Sequence, residues 1–228
     1  MAAFCPSARS PDVAAAAAGA PAPRARLRAR LRAVNYLAHV YLARHDADAM
    51  LGALLGDFVF GTSGPDAWPE PVRAEILRHR RIDRFTDTHP AVAAARSLFP
   101  EGRRRYAGIA LDVYFDHRLA QAWSRWCDVP LDAFTGRFYA HLLQHRERLP
   151  DRLRAIAPLM ARHDWLGSYR ERDSVDRAVA RIATRLSRNG ERLVDCLGDV
   201  SRHEAALEAT FEAFFPALVA FVAADRNG

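Results

Sequence analysis

The chain has 228 residues, half of them hydrophobic, with a net charge of +6 carried by 33 arginines and no lysine. That length and apolar content suit one domain with a real core, plus at most a tail. The charge is uneven: Arg9, Arg24, Arg26, Arg28, Arg30 and Arg32 face only Asp12 in residues 1–33, so the other 195 residues are nearly neutral, which argues against a nucleic-acid-binding domain.

Residues 1–33 are Ala, Pro and Arg with almost no large side chains. Such a stretch cannot offset the entropy of ordering itself, and a disordered extension is expected. It can be read as an Arg-rich presequence, as a basic arm for an anionic partner, or as translation called too early, with the true start at Val34; the last is preferred. The domain proper is then 34–228.

From Asn35 the apolar pattern is helical. Helices are expected at 35–45, 48–60 (closed by Gly61 and the Gly64-Pro65 turn), 70–87, 90–99, 103–126, 131–148, 151–162, 172–198 and 200–224, the last interrupted at Pro216. No stretch alternates with period two, and no repeat is visible. The predicted class is all-α, a single-domain helical bundle. No apolar run stands out as a membrane span. Cys5, Cys127 and Cys196 lack metal or disulfide spacing, which favours a reducing, cytoplasmic setting.

Two short segments hold most of the possible chemistry. Arg78–Pro90 reads RHRRIDRFTDTHP and Leu111–Ala120 reads LDVYFDHRLA. His79/Asp83 and Asp112/Asp116 are each four apart, so each pair shares one side of a helix. Carboxylates in such apolar surroundings need a partner, either an arginine from a neighbouring helix or a divalent metal. Imidazole mixed with carboxylate suits Mn, Fe, Zn or Mg. His39 in YLAHVYLA and Asp57 in LLGDFVF are further candidate ligands. Asp87, His89 and His117 are candidate catalytic groups, with Thr88 a possible helix cap and His89 or His117 a general acid. Arg80, Arg81 and Arg84 are candidate phosphate or substrate contacts. His141 and His145 are one turn apart, but their Arg-rich amphipathic helix favours a solvated face. Trp165 and Tyr169 are read as core. There is no phosphate-cradling glycine loop, no GxSxG elbow and no CxxC.

In chain order, NYLAHVYLA, LGALLGDFV, HRRIDRFTDTHP, YAGIALDVYFDHRLAQAW, DWLGSYR and FFPAL resemble the acyl carrier protein phosphodiesterase family from Asn35 to about Val222. The resemblance implies an all-helical, distant relative of the HD metal-dependent phosphohydrolases. It also implies cleavage of the phosphodiester between 4′-phosphopantetheine and a serine of holo acyl carrier protein, with Mn2+ the expected metal and Mg2+ or Fe2+ alternatives. The small acidic carrier would be the partner, with no membrane or nucleic acid. Read from their own spacing and surroundings, His39, Asp57, His79, Asp83, Asp112 and Asp116 are the expected metal ligands. The chain departs from the pattern in its N-terminal extension and in the order Asp116-His117, the reverse of a His-Asp dipeptide. Two other readings stay open: hydrolysis of another small phosphoester or nucleotide, and a non-catalytic bundle whose buried acids pair with arginines.

Overall fold

The computed structural model describes residues 35–61 and 64–227; the Ala/Pro/Arg-rich extension and the Val34 start lie outside them. Ten α-helices and no strand occur among the described residues. They are α1 (Tyr36–Leu42), α2 (Ala47–Leu55), α3 (Val72–Thr88), α4 (Pro90–Ser97), α5 (Glu101–Gln121), α6 (Leu131–Gln144), α7 (Asp151–Arg162), α8 (Arg172–Ala183), α9 (Gly190–Arg202) and α10 (Glu204–Asn227).

α5 is the axis of the bundle. Tyr106, Ile109, Leu111, Val113, Tyr114, Phe115 and Leu119 are buried on several of its sides, because α1, α4, α8, α9 and α10 all lean on it. Each large side chain so buried contributes about 1.5–3 kcal/mol. Phe115, Phe211, Phe214, Phe215 and Trp126 form a linked aromatic cluster with ring centroids 4.8–6.4 Å apart.

α2 and α3 cross tightly because α2 offers glycine where they meet. A Cβ on Gly52 would collide with the Val72 carbonyl oxygen and lie 2.9 Å from Glu75 Cβ. A Cβ on Gly56 would lie 2.6 Å from Cβ and Cδ2 of His79. These glycines, one turn apart, bring α3's polar stripe against the end of α2.

Several expected boundaries change, among them the ends of the helices expected over 48–60 and 131–148, which stop at Leu55 and Gln144. The helix expected over 172–198 is two helices, broken at Thr184–Asn189. Asn189 takes a left-handed conformation (φ 57°), and Gly190 packs where a Cβ would sit 3.1 Å from the Ala183 carbonyl carbon. The Asn-Gly pair is a turn signal that the flanking periodicity obscured. The helix expected to end at residue 126 stops at Gln121 and passes into a 3-10 turn, Trp123–Arg125. α10 runs unbroken through Pro216. By length and composition α10 would also be long and apolar enough to cross a membrane, contrary to the reading of the sequence. Here it packs Leu207, Phe211, Phe214, Phe215, Leu218 and Val222 into the bundle.

Ion pairs fasten the helices. Arg103 at the start of α5 makes a two-pronged contact with the buried Asp199 of α9 (2.6 and 2.8 Å), and Arg202 adds a third bond at 3.0 Å. The Arg103 hydrogen bonds hold the Asp199 carboxyl below its ordinary value. A depressed acid stabilises the fold fully above its unfolded pKa, about 3.9, and stops doing so as the pH falls through its folded pKa. Arg103→Ala is therefore expected to melt below the parent at neutral pH, with the gap closing once the pH drops below about 4. Melting curves of both proteins from pH 7 to pH 3 check this.

Candidate metal centre

His39 lies on α1, Asp57 in the turn that ends α2, and His79 and Asp83 one turn apart on α3. The α2–α3 crossing brings them together. The His39 and His79 rings stack with centroids 3.7 Å apart and planes 15° off parallel. His39 Nε2 is 3.3 Å from Asp83 Oδ1, and His79 Nε2 is 3.4 Å from Asp57 Oδ1 and 3.6 Å from Asp83 Oδ2. One donor atom each from His39, His79 and Asp83 fall within 4.8 Å of one another. His39, His79 and Asp57 are at most 5% exposed.

The orientation of His79 is fixed by its other nitrogen. Nδ1 is 2.7 Å from the Ala53 carbonyl oxygen, so Nδ1–H donates there and Nε2 is left facing the acids. Metal-ligating histidines are commonly held by such a bond. Gly56 leaves the ring its space. Gly56→Ala is expected to push the ring aside and weaken Mn2+ binding at least tenfold with little change in helicity, as read by ion titration and circular dichroism.

The electrostatics call for a cation. Burial alone would lower the pKa of His79, yet Asp57 and Asp83 raise it to about 9. Its stacked neighbour His39 is lowered, by burial and by His79. Asp112, half-buried on the facing side of α5, is raised to about 8 by desolvation and by Asp83, with Arg96 pulling the other way. Neither nitrogen of His39 makes a hydrogen bond, and Asp57 Oδ2 and the Thr86 hydroxyl are likewise buried without one. Buried polar atoms are rarely left so. Two imidazoles and two carboxylates, with His39 and Asp57 Oδ2 making no hydrogen bond, fit a divalent ion of the Mn, Fe or Zn kind. Such an ion would take the place of the proton that the acids now hold on His79.

Other expected site residues go elsewhere. Asp116, expected as a ligand, is fully buried one turn beyond Asp112, beneath the start of α1. Its two oxygens accept the backbone N–H groups of Leu37 and Ala38, both at 2.9 Å. Burial pushes its carboxyl up while the two amides draw it down. It caps a helix from a distance, and its partners are amides rather than guanidinium groups. His117, expected as an acid, sets Nδ1 2.6 Å from the Tyr169 carbonyl oxygen and is lowered by burial, with Arg172 and Arg118 adding to that. Asp87 pairs with Arg96 at 2.5 Å. His89, not Thr88, caps α4: its Nδ1 accepts from Ala91 N at 3.3 Å, and its ring lies against Phe85 and Phe214.

Of the three arginines, Arg80 donates to the carbonyls of Val59 and Gly61 and pins the loop after α2. Arg81 binds both oxygens of Asp225 on α10, a carboxylate it shares with Arg78. Both guanidinium groups are thus engaged within the fold, while Arg84 is exposed. Two arginines that the sequence did not single out act on Tyr36. The Arg152 guanidinium lies 5.4 Å over the Phe58 ring, beside Asp57. The Tyr36 phenol, one turn before His39, is raised by burial and by Asp57 while Arg152 and Arg185 pull it down. Their lone signal in the sequence is Tyr36's spacing from His39; Arg152 and Arg185 arrive from far along the chain.

Residues 34–218 match the family model described as acyl carrier protein phosphodiesterase. The chain belongs to the acyl carrier protein phosphodiesterase family. It is 36% identical over 187 residues to the acyl carrier protein phosphodiesterase of Serratia proteamaculans (strain 568), covering 82% of this chain and 96% of that one. It is 38% identical over 189 residues to that of Salmonella agona (strain SL483), with the same coverage. No solved structure matches the chain. The match to the acyl carrier protein phosphodiesterase family spans every residue of the cluster, from His39 to Asp112.

Proposed function

We propose that residues 34–228 form a divalent-metal phosphodiesterase domain that releases 4′-phosphopantetheine from holo acyl carrier protein, leaving the apo carrier with a free serine. The observation that carries this is the buried, stacked His39–His79 pair between Asp57 and Asp83, with His39 and Asp57 Oδ2 making no hydrogen bond, inside the segment matched by the family. An early histidine, a mid-chain His/Asp pair and a later Asp also follow the ligand order expected of a distant HD-type phosphohydrolase.

His39, His79, Asp57 and Asp83 would hold the ion, with Asp112 completing the carboxylate shell. The bound ion, Mn2+ by expectation with Mg2+ or Fe2+ as alternatives, supplies Lewis acidity toward the phosphoryl group and lowers the pKa of water. The protein's residues do the positioning. The Ala53 carbonyl aims His79, and the α2–α3 crossing keeps the two rings face to face. Arg152 and Arg185, exposed beside Tyr36 and Asp57, offer guanidinium groups to the phosphate and a positive rim to an acidic carrier. A cytoplasmic setting, in acyl-carrier metabolism that serves fatty acid synthesis, belongs to the same proposal.

Incubating the protein with holo acyl carrier protein and Mn2+, then weighing the carrier, tests this. The expected result is loss of the prosthetic arm. An unchanged carrier alongside hydrolysis of a small phosphoester would assign a different substrate to the same centre.

A further inference from the structure

A second trio of described side chains is spaced for a metal: Asp48, His141 and His145. His141 and His145, one turn apart in an amphipathic helix, read from the sequence as a solvated face. The fold adds an aspartate 93 residues before His141. The first turn of α2 lies against the last turn of α6, so Asp48 meets both rings. His141 Nε2 is 2.8 Å from Asp48 Oδ1 and His145 Nε2 is 3.8 Å from the same oxygen, with the rings 4.6 Å apart. The side chains are 19%, 30% and 38% exposed for His141, His145 and Asp48, sheltered but open to exchange.

Two features separate this from a histidine hydrogen bond with a bystander. Both imidazoles turn the same nitrogen, Nε2, toward a single oxygen, and the second is too far to bond to it. An ion bound at 2.0–2.2 Å in tetrahedral geometry sets its ligand atoms about 3.3 Å apart. The observed 2.8 and 3.8 Å bracket that spacing, so a shift of roughly half an ångström satisfies both. The carboxylate is also well anchored. Asp46 caps α2 by accepting Ala49 N at 2.9 Å, which fixes the turn that presents Asp48.

We propose that Asp48, His141 and His145 form a second divalent-metal site, separate from the candidate centre, which staples the start of α2 to the end of α6. Two imidazoles and one carboxylate select a borderline transition ion of the zinc class over Mg2+ or Ca2+. Three protein ligands leave a fourth position to water. The site does not depend on the phosphodiesterase reading.

Equilibrium dialysis of the full chain against Zn2+ tests it, comparing wild type with His141→Ala/His145→Ala. The double variant is expected to bind one ion fewer per chain. Its zinc-induced rise in melting midpoint should also be smaller than that of the wild type, by about 5 °C at saturation. Activity on the carrier should be unchanged, so loss of this site and failure of the catalytic reading are told apart. Should the double variant lose helicity, Asp48→Asn, which keeps the side chain's shape, carries the same readout. Equal zinc stoichiometry in the wild type and a folded variant would overturn the proposal.

Discussion

His79→Ala is expected to cut turnover of holo acyl carrier protein by about a thousandfold or more at saturating Mn2+, with helicity retained. The ring contributes a donor atom, the stacking partner of His39 and the near neighbour of both Asp57 and Asp83. Without it, Asp57 and Asp83 are left with one imidazole, and affinity for a cation falls along with catalysis. A thousandfold loss corresponds to about 4 kcal/mol of transition-state stabilisation, within the several kcal/mol that a catalytic ion supplies. Steady-state kinetics with circular dichroism as the folding control give the answer. Wild-type turnover in a folded His79→Ala protein would remove the residue from the centre.

The second large effect is on stability rather than chemistry. Asp116→Ala is expected to cost about 3 kcal/mol, lowering the melting midpoint by roughly 10 °C, while leaving metal stoichiometry intact. The Leu37 and Ala38 amides would lose their acceptors in a place that water does not reach, at about 1–3 kcal/mol each. The uncharged cavity offsets part of this, because a buried carboxylate is itself costly. Asp116→Asn keeps one accepting oxygen and should lose about half as much. Calorimetry and metal analysis of both variants separate the roles: a stable protein that had lost its ion would make Asp116 a ligand after all.

Asp116 also marks where the sequence stops being legible. Its spacing from Asp112 was visible, and so was its need for a partner. The partner was not, because free amides at a helix start have no side-chain signature. One turn along α5 carries the second carboxylate about 6 Å, from the metal cluster to the foot of α1. His79 and Asp83 were legible because four-residue spacing on a strongly patterned helix fixes a shared face. His39 and Asp57 joined them only through the glycine-lined crossing of α2 and α3, where Gly52 and Gly56 are informative once the partner helix is known. The arginines show the same limit. Arg80 and Arg81 sit beside the motif in sequence yet bind a loop and the last helix, whereas Arg152 and Arg185 act on Tyr36 from elsewhere in the chain. Helix content followed from periodicity alone; the break before Gly190 did not, since apolar spacing continues on both sides of it.

Mn2+ titration followed by electron paramagnetic resonance, on the wild type and on His39→Ala/Asp83→Ala, addresses most directly whether these buried groups exist to hold a cation. Saturable Mn2+ binding in the wild type, lost in the folded double variant, is the predicted outcome. Identical binding in both proteins, or none in either, would contradict it.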